Sequence, residues 1–153
     1  MTNLKIYVLL VILLMPLMAI AQDGRDLISR IEHETLSSEP ACRLMRKSAN
    51  EMGGMMQWEC GKYRILMNVY IADSTDIAHE WYMGMGSKSS SKTGSFDELD
   101  EFGDEGIFIK DYLKQGSAAL IFRKGTIIIQ TVGDSEEAIQ RFAKYALKQI
   151  ASV

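Results

Sequence analysis

Three short apolar runs near the end of the chain constrain its fold more than any other feature. Residues 107–113, 118–123 and 126–132 are rich in β-branched and aromatic side chains and have the length of strands. They are separated by turns that contain Gly116 and Gly125, and glycine accepts the positive φ that tight hairpin turns require. These runs predict an antiparallel meander.

After the third run the hydrophobic period changes from two residues to about 3.6, the period of an α-helix. The apolar residues there form one stripe along a predicted helix over 135–151: Ala138, Ile139, Phe142, Ala143, Ala146, Leu147 and Ile150. Asp134 and Glu137 give this helix a capping box at its start. We expect Phe142 to be its central core contact against the 118–132 strands.

The earlier part of the chain supplies more elements of both kinds. Helices are predicted over 24–35, 41–52 and 75–85, and strands over 55–60 and 63–72, from their apolar periods and from the glycines and polar residues that end them. The predicted fold class is therefore α+β, with a twisted, mostly antiparallel sheet and helices packed on one face of it.

Residues 86–105 are predicted to be a flexible loop within that domain. Its first half is rich in serine, and Asp97–Glu105 contains six carboxylates in nine residues. The run lacks the spacing of a calcium-binding loop. We interpret it as a solvated connector; the alternative is a weak contact with a divalent ion or with a basic partner.

The N-terminus predicts export. Residues 1–21 combine Lys5, a short apolar run and the sequence Ala19-Ile20-Ala21, the features of a cleavable signal peptide, and leave 22–153 as a single domain. The uncleaved alternative is a membrane anchor, for which the run is short. Without Lys5 the chain has 16 basic and 20 acidic side chains, which disfavours nucleic acid or an anionic membrane as partner. The predicted location is secreted or periplasmic.

The two cysteines, Cys42 and Cys60, both lie in the predicted exported part. An even number of cysteines in an oxidising compartment favours a disulfide. Two buried thiols are the alternative.

Two groups of residues together resemble small secreted bacterial domains of uncharacterised role, mostly actinobacterial lipoproteins. The groups are Pro40-Ala-Cys42-Arg-Leu44 with Trp58-Glu-Cys60, and Phe102-Gly-Asp-Glu-Gly106 with Ala119-Leu-Ile-Phe-Arg-Lys-Gly125. The resemblance implies a twisted antiparallel sheet packed against helices and a Cys42–Cys60 pair, and it implies no catalytic residues. The chain departs from the family pattern in having no lipidation cysteine, and at Gly106 and Thr126.

A metal site is one alternative function. His33 and His79 each precede a glutamate, but neither has the second histidine at i+4 that a zinc-protease helix requires. His79, Met83 and Met85 bring imidazole and thioether ligands together, and such ligands suit Cu(I). The competing interpretation is that Trp81 and Met85 belong to the core and that Met83 is a partly exposed gap-filler.

Catalysis is the other alternative. Ser89–Lys92 and Lys92–Gly94 spell β-lactamase-type motifs, but they overlap in one predicted loop, which cannot hold a nucleophile against its base. We therefore expect a non-catalytic binding or interaction domain, without cofactor, for an unknown protein or small ligand. Periplasmic copper handling and a hydrolase with an unrecognised site are the alternatives.

Overall fold

The computed structural model describes residues 23–90 and 95–151, so the predicted signal peptide lies outside the described part. The elements are α1 Gly24–Ser38, β1 Arg43–Asn50, β2 Gly53–Cys60, β3 Tyr63–Ile71, α2 Thr75–Ser90, β4 Phe96–Glu98, β5 Glu105–Lys110, β6 Ala118–Lys124, β7 Ile127–Gly133 and α3 Glu136–Ala151. The strands form one antiparallel sheet of order β1-β2-β3-β7-β6-β5-β4. The α+β class predicted from the sequence is confirmed.

The helices lie on both faces of the sheet, so the expectation that one face carries all of them is wrong. α1 and α3 pack on the face that includes Trp58 and Phe122, whereas α2 packs on the other face against Ile109, Ile121 and Ile128. Successive strand residues point to opposite faces, which places Ile121 and Phe122 in different cores. Among the described helices, none is long and apolar enough to cross a membrane.

The predicted helix over 41–52 is wrong, because most of this segment is the edge strand β1. A β-bulge between Leu44 and Arg46 places one extra residue in β1, so Leu44 faces Trp58 on β2 and Lys47 faces Met56. The apolar residues Leu44, Met45 and Ala49 have a spacing that fits one face of a helix, although Met45 and Ala49 are exposed in the strand. The segment is a strand because it pairs with β2, although its hydrophobic residues do not alternate as they do in most strands.

Cys42 and Cys60 form the predicted disulfide, with their Cα atoms 4.1 Å apart. The bond joins the segment before β1 to the end of β2, and both cysteines are buried. The alternative of two unpaired thiols is wrong.

Phe142 is fully buried at the centre of the α3 face, as expected. Its ring meets Trp58 edge-on, with centroids 5.3 Å apart, and the Tyr145 ring at 5.9 Å. The aromatic contact with β2 adds to the packing of α3 on β6 and β7.

The segment predicted as a loop over 86–105 contains regular structure. α2 continues to Ser90 and β4 begins at Phe96, and residues 91–94 lie outside the described part. The turn that follows β4 is held by Phe102, which is fully buried against Phe122. Phe102, together with the partly buried Leu99, anchors the acidic run on the core.

Candidate functional site

A cleft of about 510 Å³ lies between α2 and the strands β4 and β5. The helix supplies one wall, the short edge strand β4 supplies the other, and the turn between β4 and β5 closes one end. The lining residues are Tyr82, Met83, Gly86, Ser87, Phe96, Glu98, Leu99, Asp100, Asp104, Glu105, Gly106 and Ile107. Their chemistry divides into an apolar surface and an acidic rim.

The apolar surface is unusually accessible to solvent. Met83 and Phe96 are 54% and 51% exposed, although large apolar side chains normally gain from burial. Leu99 and Ile107 line the same cleft and are half-buried. An accessible apolar surface inside a concavity is a common feature of ligand-binding sites.

Tyr82 is the buried polar residue of the cleft. It is only 8% exposed, and its hydroxyl has no hydrogen-bond partner among the described residues. Burial, and then the nearby charges of Glu105 and Glu98, raise the pKa of the Tyr82 phenol to about 12. The phenol therefore stays protonated, and the described residues do not use its hydrogen-bonding capacity.

Two carboxylates of the cleft are already paired with basic side chains of the protein. Glu105 accepts from Arg123 Nε and lies 2.8 Å from His79 Nδ1, and Asp104 accepts from Lys124 Nζ at 2.9 Å and from the Gly125 N–H at 2.7 Å. Burial alone would raise the pKa of Glu105, but the bonds from His79 and Arg123 outweigh it and the net pKa is lowered.

The backbone hydrogen bond from Gly125, followed by the bond from Lys124, lowers the pKa of Asp104. Both Asp104 and Glu105 therefore remain charged near neutral pH. The bonds of Asp104 and Glu105 hold the turn after β4 in place, so these two residues have a structural role in the cleft.

Glu98 and Asp100 are the carboxylates of the rim without such partners. Within residues 23–90 and 95–151, neither has a cation within ion-pair distance, and Asp100 and Glu98 are exposed. Two uncompensated negative charges beside an apolar surface give the cleft a negative potential.

The local sequence explains why the rim is positioned. Gly103 has a φ of 71°, which glycine adopts at no steric cost, and the Asp104 N–H donates to the Arg123 carbonyl oxygen at 2.7 Å. The backbone of Leu99 donates to the Gly106 carbonyl oxygen at 2.9 Å. The acidic run is thus held at both ends and is not a flexible loop, although most of its carboxylates are exposed to solvent, as its interpretation as a solvated connector requires.

The structure does not gather the three predicted copper ligands at one place. His79 is exposed and bonded to Glu105, and Met83 lies in the cleft one turn later along α2. Met85 packs instead against the apolar residues beneath α2. Among the described residues, no group of three or more His, Cys, Asp or Glu could hold a metal ion.

Among the residues that the structure describes, Ser87 and His79 are the pair near the cleft to consider as nucleophile and base. Ser87 follows His79 by eight residues on the same helix, an axial separation of about 12 Å, and its hydroxyl donates to the Gly84 carbonyl oxygen at 3.4 Å. A serine–histidine pair requires direct hydrogen-bond contact. Ser87 and His79 therefore do not form one.

Sequence reasoning placed Met83 among candidate ligands and gave the acidic run a basic partner as an alternative. It missed Tyr82 and Phe96 as parts of a site. The signal for Phe96 was an isolated aromatic residue between the serine-rich segment and the acidic run.

Comparisons with family models, with curated proteins and with solved structures found no match. The resemblance to small secreted bacterial domains therefore stays a prediction, and the geometry of the cleft is the basis for any function.

Proposed function

We propose that this chain is an exported, non-catalytic binding domain whose cleft between α2 and the β4–β5 strands holds a cationic ligand with an apolar part. One observation carries the proposal: exposed apolar side chains and two carboxylates without protein partners line the same concavity. The apolar surface favours a hydrocarbon body, and Glu98 and Asp100 favour a positive charge beside it.

The size of the cleft limits the ligand. A volume of about 510 Å³ lies within the range of about 300–1,000 Å³ that is typical of small-molecule sites. It corresponds to a drug-sized amine or to a few residues of a peptide. Whole folded domains are excluded from the cleft itself.

Aromatic groups add to the preference for cations. The rings of Tyr82 and Phe96 both line the cleft, and aromatic faces attract ammonium and guanidinium groups. The unused hydroxyl of Tyr82 can accept a hydrogen bond from the same ammonium. The carboxylates, the aromatic rings and the Tyr82 hydroxyl therefore all favour a ligand with an ammonium or guanidinium group.

The proposed location rests on two features. The first 21 residues have the pattern of a cleavable signal peptide, and the Cys42–Cys60 disulfide suits an oxidising compartment. Secretion or residence in a periplasm is therefore part of the proposal.

The test is a titration followed by ¹H–¹⁵N NMR with three probes of one shape: 4-phenylbutylamine, 4-phenylbutanol and 4-phenylbutyrate. We expect the amine to bind best and the carboxylate worst, with shifts confined to the cleft. Equal binding of all three, or no binding, overturns the proposal.

Variants assign the charge preference to residues. Glu98→Gln with Asp100→Asn should weaken binding of the amine roughly 30-fold, because the two exposed ion pairs contribute up to roughly 1 kcal/mol each. Asp97→Asn is the matched control, since it removes one charge from the same strand on the opposite face and should leave binding unchanged. If the control loses as much affinity as the double variant, the cleft is not the site.

A second candidate function is Cu(I) binding by His79 and Met83. Glu105 accepts from Nδ1 of His79, which leaves Nε2 as the ring nitrogen that could ligate a metal, an orientation typical of metal-ligating histidines. The thioether of Met83 is 54% exposed one turn away.

A competition titration with a chromophoric Cu(I) chelator tests this candidate. His79→Ala and Met83→Leu should each weaken Cu(I) binding, and Met52→Leu, an exposed methionine in the turn between β1 and β2, should not. Equal affinity in all four proteins would exclude this site.

A further inference from the structure

The two edges of the sheet are built differently. β1 has a bulge and the cations Arg43, Arg46 and Lys47, and both features discourage pairing with another strand. β4, at the other edge, has a regular register with β5 and no lysine or arginine. β4 is short and carries the carboxylates Asp97 and Glu98, so its protection against an incoming strand is acidic and would not repel a basic one.

The hydrogen bonds to β5 show which backbone groups of β4 point outward. Lys110 N–H donates to the Ser95 carbonyl oxygen at 3.1 Å, and Leu99 N–H donates to the Gly106 carbonyl oxygen at 2.9 Å. Bonding to a neighbouring strand alternates along an antiparallel pair, so Asp97 also faces β5. The N–H and C=O groups of Phe96 and Glu98 therefore point away from the sheet.

The side chains of these same two residues point into the cleft. Phe96 and Glu98 pair with Ile109 and Ile107, which lie on the α2 face, and both residues line the cleft. Asp97 points to the opposite face because side chains alternate along a strand. A strand added to β4 would place alternate side chains beside the cleft.

The charges along this edge define the partner. Glu98, Asp100 and Glu101 are exposed and have no ion pair with the described residues. Tyr82, 8% exposed with an unused hydroxyl, lies in the adjoining cleft. An extended chain with alternating basic side chains would match both the backbone groups and the charges.

We propose that β4 is a docking edge for an extended basic peptide, which adds as an eighth strand and places a side chain in the cleft. This inference rests on the proposed function and specifies its ligand class. The main-chain bonds to Phe96 and Glu98 supply affinity, and the acidic rim selects lysine or arginine.

Hydrogen exchange of single amides tests the strand directly. The probe is acetyl-Lys-Val-Lys-Val-Lys-amide, added to the ¹⁵N-labelled exported form. We expect the amides of Phe96 and Glu98 to exchange at least about tenfold more slowly with peptide, since each gains a hydrogen-bond partner. The amide of Asp97, already bonded to β5, is the internal control and should change little.

Backbone N-methylation of the peptide separates strand addition from charge attraction. One peptide is methylated at positions 1, 3 and 5 and another at positions 2 and 4, with the side chains and charges unchanged. Only one set of amides faces β4, so we expect one peptide to lose at least about tenfold in affinity and the other to keep it.

The outcomes separate this inference from the function on which it rests. If the peptide and 4-phenylbutylamine both bind but no amide gains protection, strand addition is wrong and the cleft stays a binding site. If neither binds, the proposed function fails as well. If Phe96 and Glu98 are already protected without peptide and ultracentrifugation shows a dimer, a second copy occupies the edge and the peptide proposal is wrong.

Discussion

Two polar clusters on opposite faces of the sheet use the same residue types and differ in how far their bonds are satisfied. On the α1–α3 face, Glu39 accepts from Arg141 Nε at 2.8 Å and from the Tyr145 hydroxyl at 3.0 Å, and Arg141 also donates to the Tyr63 hydroxyl at 3.0 Å. Every member of this cluster has a partner. The cluster connects the end of α1 to β3 and α3.

The cleft on the α2 face presents the opposite situation. Its carboxylates Glu98 and Asp100 lack cationic partners in the described part of the chain, and the Tyr82 hydroxyl lacks a hydrogen bond. Polar groups that form hydrogen bonds or ion pairs within the protein contribute to stability. Polar groups in a concavity that form no such bonds are available to a ligand. We therefore propose that the first cluster contributes to stability and that the second contributes to recognition.

The largest expected effect on stability concerns the core on the α1–α3 face, beneath the cluster of Glu39 and Arg141. Phe142→Ala should lower the free energy of unfolding by about 3–5 kcal/mol, because it removes a fully buried ring that packs on Trp58. Denaturant unfolding measures this. A midpoint equal to that of the parent would mean that α3 docks differently.

Loss of the disulfide should follow in size. Replacing Cys42 and Cys60 together by alanine should cost ~3 kcal/mol, since the bond closes a loop with a sequence separation of 18 residues. Amine binding to the folded protein should be unchanged, because the bond lies in the β1–β2 end of the sheet. A large loss of affinity in the folded variant would show that the two regions are coupled.

Glu39→Gln should have a smaller effect, about 1–2 kcal/mol, because Arg141 is partly exposed and solvent screens the pair. Burial would raise the pKa of Glu39, but the bonds from Arg141 and Tyr145 outweigh it, so its pKa in the folded protein is lowered. A lowered pKa means that the stabilisation is present above the ordinary value of 4.5 and is lost as the pH falls through the folded value.

The measurement for Glu39 is urea unfolding at several values of pH. The variant should lose less stability than the parent between about pH 5 and pH 3. Parallel curves for the two proteins would show that Glu39 does not contribute in this way.

The smallest expected effect on stability is that of Glu98→Gln, within about 0.5 kcal/mol, because an exposed carboxylate without a partner stabilises little. Its effect on amine binding should be about fivefold. Thermal unfolding and titration of the same sample give both numbers. Destabilisation as large as that of Glu39→Gln would remove the contrast between the clusters.

The parts of the fold that were predicted from sequence are those in which burial decides the structure. β6 and β7 are buried on both faces, and α3 has an uninterrupted apolar stripe that ends in Ile150. In those elements the local period and the tertiary contacts agree. The disulfide was predicted from the even number of cysteines together with the predicted export.

The errors have physical causes that a single sequence hides. At β1 the bulge beside Met45 breaks the alternation, and almost every residue of this edge strand is exposed, so its pattern contains little information. In the acidic run, Phe102 holds the turn through contacts with β6, which is distant in sequence. Tyr82 lies within the predicted helix over 75–85, and nothing in the local sequence shows that this side chain lines a cleft.

The most direct test of the account is the map of NMR shifts caused by 4-phenylbutylamine. Shifts should be largest at Tyr82, Met83, Phe96 and Glu98 and small at Leu66 and Leu113, which line a second concavity on the part of the sheet that α2 leaves uncovered. Shifts centred on Leu66 and Leu113, with the α2 cleft unaffected, would contradict the assignment of recognition to the cleft.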